Sequence, residues 1–542
     1  MRAHAQAGGV SVRAYAGTTG VLLAFDVTEH RRRGLLGFAI EREGGNRPHQ
    51  WLTGMLTFPG AAHAPGEPVP TAQAPIQRFR WSDYRVYPDT RYAYEVHPVY
   101  GTPAAPVLKP GPAVTVTTAS VQRGDHRVLF NRAAAASQAF SREFPEVDAE
   151  LTAAKHEHRP PRLPPAALAW LSRGVLEQIT GFCARALDAT WALDVGIYEY
   201  ELPEIRAALD AARTRGAQVR IVYHAKPGDP QTAINTANVG AWPAVDKRAR
   251  VTSHIFHDKF IVASRIDDQH RVPQAVLCGS ANFTENGVYR QANVVHVAER
   301  PDLAAQYLLV FEELFAGNDP TATRHWIDAH DPLSDDQPIV VGFSPRSGQV
   351  DLDLFAAEIG RAARDVLFCT AFKLHPKILR ALLGAPHDSI LRLGLQNSRS
   401  TITGIHRDRT AEFVATAMLD HGLEGFLKES TAGQKGNILI HTKLIVVDFT
   451  SEAPTVISGS HNLSAAASSG NDENYLILRG ATDVADCYGV ELMRLYDHYR
   501  FRFNAKGRRA PALATDDSWT EPYFDAGSLP ALDRQRFAGS VA

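Results

Sequence analysis

Two short stretches hold residue types that can do chemistry together. The first is His257-Asp-Lys259-Phe-Ile-Val-Ala-Ser264, followed by Gly279-Ser280-Ala-Asn282. The second is His441-Thr-Lys443-Leu-Ile-Val-Val-Asp448, followed by Gly459-Ser460-His-Asn462. In each, His and Lys two apart lead into an apolar run of the kind that forms a strand buried on both faces. Alternate residues of a strand share a face, so each His is expected to point into a site beside its Lys. The Gly-Ser-x-Asn turn adds small and amide side chains suited to close approach of an oxyanion. One His-x-Lys is a common accident of a solvated strand; two copies with the same tail are not. Two Lys and two Asn can hold phosphate-like oxygens by charge-assisted hydrogen bonds, so no metal or cofactor is expected. The spacing by itself shows paired basic and amide groups and no more.

The order H-x-K, four residues, Asp, then G-S-x-N, repeated in one chain, resembles the signature of the phospholipase D superfamily. In repeat logic the resemblance covers residues 125–540. It implies two halves facing each other around one phosphodiester. It also implies that one imidazole attacks phosphorus to form a phosphohistidine, while the other protonates the leaving oxygen and then activates water. On this basis the expected catalytic set is His257, Lys259, Asn282, His441, Lys443, Asn462, Asp448 and Glu473, with Ser280 and Ser460 joining the Lys and Asn side chains on the phosphate. The second half is complete. The first has Ser264 at the Asp position, and Gln291-Ala-Asn293 where the second has Glu473-Asn474. A carboxylate beside His441 would favour its protonated form. That predicts His441 as the general acid and His257, lacking such a neighbour, as the neutral nucleophile. Which carboxylate reaches which ring is left open, since Asp258 can also fold back.

The elements needed to position these residues are legible around them. Strands alternate with helices through both halves: helix 167–186, strand 191–197, helix 203–213 and strand 218–223, then helix 352–363, strand 366–372, helix 376–383 and strand 390–395. Each half reaches its His-x-Lys strand and closes on a long helix, 303–315 and 485–503. The expected fold class is α/β: tandem duplicated phospholipase D-like α/β/α halves, each on a largely parallel sheet covered on both faces. The halves are placed at 125–325 and 335–542. Residues 1–120 read as an all-β sandwich, with short β-rich runs between Pro-rich turns. The alternation Thr90-Arg-Tyr92-Ala-Tyr94-Glu-Val96 resembles a fibronectin type III strand, and a spacer role is expected. Residues 146–166, with two Pro pairs, read as an exposed excursion, and the tail 519–537 as a segment packing back on the body.

Composition narrows the rest. The chain has 542 residues, 44% hydrophobic and 21% charged, which is ordinary globular usage. A net charge of -2 advertises no global affinity for nucleic acid, though a groove can still be basic. Cys183, Cys278, Cys369 and Cys487 are far apart and lack zinc spacing, as expected of buried thiols in a reducing compartment. There is no signal-like apolar core and no membrane-length apolar run, so a cytoplasmic location is expected. The basic clusters Arg31–Arg33 and Lys506–Arg509 read first as solvated turns. The polar stretches Asn397–Arg409 and Gln434–Gly436 lie where a groove could be lined. His224 and Lys226 make a third His-x-Lys without the tail and are taken as rim or chance; His254, His296 and His461 are taken as structural or as supports behind the site. The expected activity is a metal-independent nuclease acting on nucleic acid. The alternatives are a phospholipase D or phosphatidyltransferase acting on phospholipid, and a non-catalytic interaction protein with a degraded first motif.

Overall fold

A computed structural model describes residues 1–542 except 46, 65–66, 133–137, 158, 160, 318, 335, 385–388, 398–410, 416–438, 506–511 and 540–542. Of the polar stretches above, 398–409, Gln434–Gly436 and Lys506–Arg509 therefore lie outside the described residues.

Among the described residues, two seven-stranded sheets share one strand order. Across the first run His126–Phe130, Val294–Ala298, His270–Gly279, Lys259–Asp267, Trp191–Ile197, Gln218–His224 and Lys247–Arg250. Across the second run Ile339–Ser344, Glu473–Arg479, Thr455–Gly459, Leu444–Val447, Asp365–Thr370, Leu391–Gln396 and Ala411–Ala415. The duplication is thus visible strand by strand. The sheets are not largely parallel, however. In each, the first four pairings are antiparallel and the last two parallel. The cause is connection length. Lys259–Asp267 returns into His270–Gly279 through Asp268 and Gln269, both at positive φ (47° and 67°), and so tight a turn can only join antiparallel strands. Parallel pairing survives where a helix makes the crossover, as Pro203–Thr214 does between Trp191–Ile197 and Gln218–His224.

Two further expectations are corrected. The helix read at 167–186 is two, Pro165–Ser172 and Val175–Ala184, parted by Arg173 and Gly174 in left-handed backbone (φ 51° and 91°). Part of the supposed excursion, 146–166, is the helix Val147–His156, whose Val147 and Leu151 are buried in the first half's core.

From Val484 to Tyr499 the helix Thr482–Ala505 is buried nearly all round, as a central helix must be. Val490, Leu492, Met493, Leu495, Tyr496 and Tyr499 fill a core shared by both sheets and the N-terminal strands. Its buried Glu491 is matched by Arg173 at 2.8 Å, Arg494 at 2.6 Å and Thr19 at 3.1 Å. Residues 1–117 form an all-β region of two main sheets, Arg2–Ala7, Val10–Ala16, Val21–Val27 and Arg80–Asp83 against Gly37–Gly44, Arg47–Trp51, Arg91–Thr102, Ala105–Leu108 and Ala113–Thr117. Trp519, Tyr523 and Phe524 of the tail pack on Phe79 of this region, at ring separations of 5.3, 5.0 and 5.8 Å. The four cysteines are buried and unpaired. No helix among the described residues is long and apolar enough to cross a membrane.

Candidate active site

The Gly of each Gly-Ser-x-Asn turn is dictated by the neighbouring strand. A Cβ on Gly279 would lie 2.2 Å from the Val294 carbonyl, and one on Gly459 2.4 Å from that of Asn474. That closeness lets Ser280 N–H donate to Val294 O (3.0 Å) and Ser460 N–H to Asn474 O (2.9 Å). Each turn is thereby fixed against the strand that carries the residue behind an imidazole.

Each His lies just before its strand, not within it: the strands begin at Lys259 and Leu444. The segment leading to each His is stitched to the opposite half. His257 N–H donates to Asp472 O (2.8 Å), and Asp472 N–H to Ile255 O (3.1 Å). In the mirror arrangement, His441 and Thr442 N–H donate to Ala292 O (3.0 and 2.8 Å), and Ala292 N–H to Leu439 O (2.7 Å). The residue after each stitch then sets its side chain behind the imidazole. Nδ1 of His257 is 2.6 Å from Glu473 Oε2, and Nδ1 of His441 is 3.0 Å from Asn293 Oδ1 and 3.1 Å from Ser280 O. Oxygens at Nδ1 hold the proton there and leave Nε2 of each ring for chemistry. The two rings face each other across the seam with centroids 6.2 Å apart.

Several expectations change here. The carboxylate is on His257, not His441. Asn293, not Gln291, is the counterpart of Glu473: Ser280 donates to Asn293 (2.8 Å) as Ser460 donates to Glu473 (2.7 Å), each 13 residues along the chain. Ser280 and Ser460 accordingly support the imidazole partners; each hydroxyl also accepts a backbone N–H, from Val294 and Asn474. Neither is left as a phosphate ligand. Asp448 does not approach His441. Its carboxylate accepts the N–H groups of Ala363, Arg364 and Asp365 at 2.6–3.1 Å, holding the turn that enters Asp365–Thr370. Ser264, at the same place in the first motif, is buried in its strand. Asp258 does not fold back on His257; it accepts from Asn474 Nδ2 at 2.7 Å.

His224 is not rim. It is fully buried, accepts Phe256 N–H at Nδ1 (3.2 Å) and faces Asp229 at Nε2 (3.2 Å). Asn397 does the same work in the second half, where its Oδ1 accepts Ile440 N–H at 2.8 Å. Both residues thus brace the position immediately before the His of each motif. A buried ion pair, Arg250 with Asp472 at 2.7 and 3.0 Å, braces the seam from behind. His296 is structural, set between Tyr488 OH and His126 at 2.9 Å each. His461 is buried 3.2 Å from Asp351, and His254 is exposed.

Lys259 and Lys443 donate to the carbonyls of His257 and His441 (2.5 and 2.6 Å) and lie over Tyr198 and Phe372, at 5.2 and 5.9 Å from the ring centres. Oδ1 of Asn282 and of Asn462 has no hydrogen-bond partner among the described residues. The electrostatics are those of a site awaiting an anion. Burial lowers the His257 imidazole, against the pull of Glu473, and lowers His441 well below its ordinary range, with Lys443, Lys259 and His257 adding to the effect. Burial brings the Lys259 ammonium down to about 8, and burial with the nearby Lys259 charge lowers Lys443 well below its ordinary range. Burial would raise the Glu473 carboxyl, but His257 beside it holds it below the usual range. Cations made costly by burial, with the Glu473 and Glu199 carboxylates beside them, are stabilised when a negatively charged phosphoryl group enters.

A duplicated sheet with paired His-Lys and Ser-Asn turns meeting at one seam defines a phosphodiesterase-type fold. Residues 183–315, within the first half, match the family model described as "Cardiolipin synthase, PLD-like domain". Among solved structures it is similar to a polyphosphate kinase from Porphyromonas gingivalis, at 10% identity over 56% of this chain, with a TM-score of 0.40. This chain spans only 43% of that kinase. It is similar to a phosphatidylserine synthase from Haemophilus influenzae Rd KW20, at 10% identity over 60% of this chain and 85% of that one, with a TM-score of 0.44. It is also similar to the yeast tyrosyl-DNA phosphodiesterase, at 11% identity over 55% and 86%, with a TM-score of 0.31. No curated protein matches the sequence.

Proposed function

We propose that the chain is a phosphodiesterase that hydrolyses nucleic-acid phosphodiesters in two displacements at phosphorus. The observation that carries this is the pair of imidazoles 6.2 Å apart, His257 backed by the Glu473 carboxylate and His441 by neutral oxygens. His257 Nε2 attacks phosphorus and the bond to the leaving oxygen breaks, His441 giving that oxygen its proton. Glu473 stabilises the positive charge that develops on the phosphorylated ring. Water then attacks phosphorus as His441 takes its proton, and the phosphorus–nitrogen bond breaks to restore His257. Lys259, Lys443, Asn282 and Asn462 hold the non-reacting oxygens.

The roles match the expectation, but the physical reason is reversed: the carboxylate serves the nucleophile. Nucleic acid is favoured because Tyr198 and Phe372, both partly exposed, flank the two imidazoles at 5.4 and 6.2 Å, where aromatic faces can stack bases. In this reading the chain acts in the cytoplasm and the N-terminal β region is a brace. A second reading, cleavage or transfer at a phospholipid diester, is favoured by the description of the matching family model. The test is incubation with single-stranded DNA, duplex DNA, RNA and phosphatidylcholine vesicles, followed by quenching under conditions that preserve phosphohistidine and mass spectrometry. Cleavage of a nucleic acid with phosphate on the His257 peptide is expected, and its binding should weaken steeply with salt. Choline release without nucleic-acid cleavage would transfer the assignment to lipid.

A further inference from the structure

The two halves place unlike side chains at one matched position beside the site. After Trp191–Ile197 come Tyr198 and Glu199; after Asp365–Thr370 come Ala371 and Phe372. The strand registers pair Gly196 with Phe260 and Cys369 with Leu444, which aligns Ile197 with Thr370 and hence Glu199 with Phe372; Phe372 lies beside His441 and against Lys443. Glu199 is half-buried, its carbonyl accepts Phe283 N–H at 3.0 Å, and its Oε2 accepts from Asn282 Nδ2 at 2.5 Å. A carboxylate thus sits on one of the two amides that would hold phosphate oxygens. Its charge also favours the ammonium forms of Lys259 and Lys443.

A carboxylate in an anion site has a cost that depends on the charge of the guest. An internal phosphodiester carries one negative charge. A terminal phosphate monoester gains a second with a pKa of about 6. Building on the phosphodiesterase reading, we propose that Glu199 is a charge-selectivity residue that admits a singly charged internal phosphodiester and disfavours a doubly charged terminal phosphate. The product of hydrolysis is such a terminal phosphate, so the same carboxylate promotes its release.

The test measures binding of phenyl phosphate and diphenyl phosphate to the full chain by calorimetry, from about pH 5 to about pH 8, across the second ionisation of the monoester. Diphenyl phosphate keeps one charge throughout, so the ratio of the two dissociation constants removes the titration of His257, Asp258, Lys259, His441, Lys443 and Glu473 around the site. In the wild type the ratio is expected to shift against phenyl phosphate by about tenfold as its second charge forms, the scale of one like charge nearby. Glu199→Gln, which keeps an oxygen for Asn282, should abolish that shift, and Glu199→Ala should do the same. A wild-type ratio that does not move with pH, a shift equal in both variants, or no binding of either ester would overturn the proposal. Absence of any turnover of bis(p-nitrophenyl) phosphate by the wild type would instead overturn the phosphodiesterase reading.

Discussion

Glu473 reaches His257 from 216 residues away, with Oε2 2.6 Å from Nδ1. Its other oxygen accepts from Asn471 Nδ2 at 3.0 Å, and Ser460 donates to the first at 2.7 Å, so the carboxylate is fixed from three sides. Glu473→Gln keeps the shape and removes the charge. It should lower kcat/KM by about 10² to 10⁴-fold, the range for losing a group that orients and stabilises a working imidazole. Wild-type kinetics in a folded Glu473→Gln protein would show the contact to be structural only.

His257→Ala and His441→Ala should each remove nearly all turnover, and the double variant should be little worse, because groups acting as a unit are not additive. Steady-state rates on one diester substrate decide this. A His257→Ala enzyme close to wild type would mean that the first half contributes no chemistry.

Turnover should persist in EDTA. Lys259 and Lys443 are placed to supply the positive charge on the phosphoryl group. Complete loss of hydrolysis in chelator, recovered with Mg²⁺ or Zn²⁺, is the contrary result.

The pH profiles should separate the free enzyme from the complex. In the free site His441 is held well below its ordinary range by burial and by the neighbouring cations, so its acid form is lost as pH rises through that lowered value. The rate given by kcat/KM should therefore fall from an acidic optimum. A bound phosphodiester anion favours the imidazolium and raises its pKa, so the kcat profile should extend to higher pH. The macroscopic values belong to the His257–His441 pair. Above about 8, loss of the Lys259 charge should weaken substrate binding further. Coincident kcat and kcat/KM profiles would contradict this electrostatic account.

Asp448→Ala should act on stability rather than on catalysis. It strips acceptors from the N–H groups of Ala363, Arg364 and Asp365, of which only Asp365 is buried, where an unsatisfied group costs about 1–3 kcal/mol. Thermal unfolding should show the loss, with kcat of the folded enzyme within a few-fold of wild type. A collapse of kcat at unchanged Tm would return Asp448 to the chemistry.

The duplication and both His-Lys pairs were legible because each motif is local: a His, a Lys and an apolar run within eight residues. The pairing of Glu473 with His257 was not, because strand periodicity says nothing of which half's loop closes on which. Asn293 could have been found by counting: it follows Ser280 by 13 residues, as Glu473 follows Ser460. Glu199 carries no motif, and only the matched strands Trp191–Ile197 and Asp365–Thr370 bring its position into register with Phe372. Alternating strands and helices signal a parallel sheet, whereas the short return at Asp268-Gln269, which makes its neighbours antiparallel, has no helix to mark it.

The Glu473–Asn293 contrast has a consequence for symmetry. Two identical subunits meeting on a twofold axis must present the same side chain on both sides, so a carboxylate behind one imidazole would be a carboxylate behind the other. Joining both halves in one polypeptide removes that constraint. Each imidazole can then be tuned by substitution at one position without altering its twin, and attacker and proton donor need not compete for a single environment.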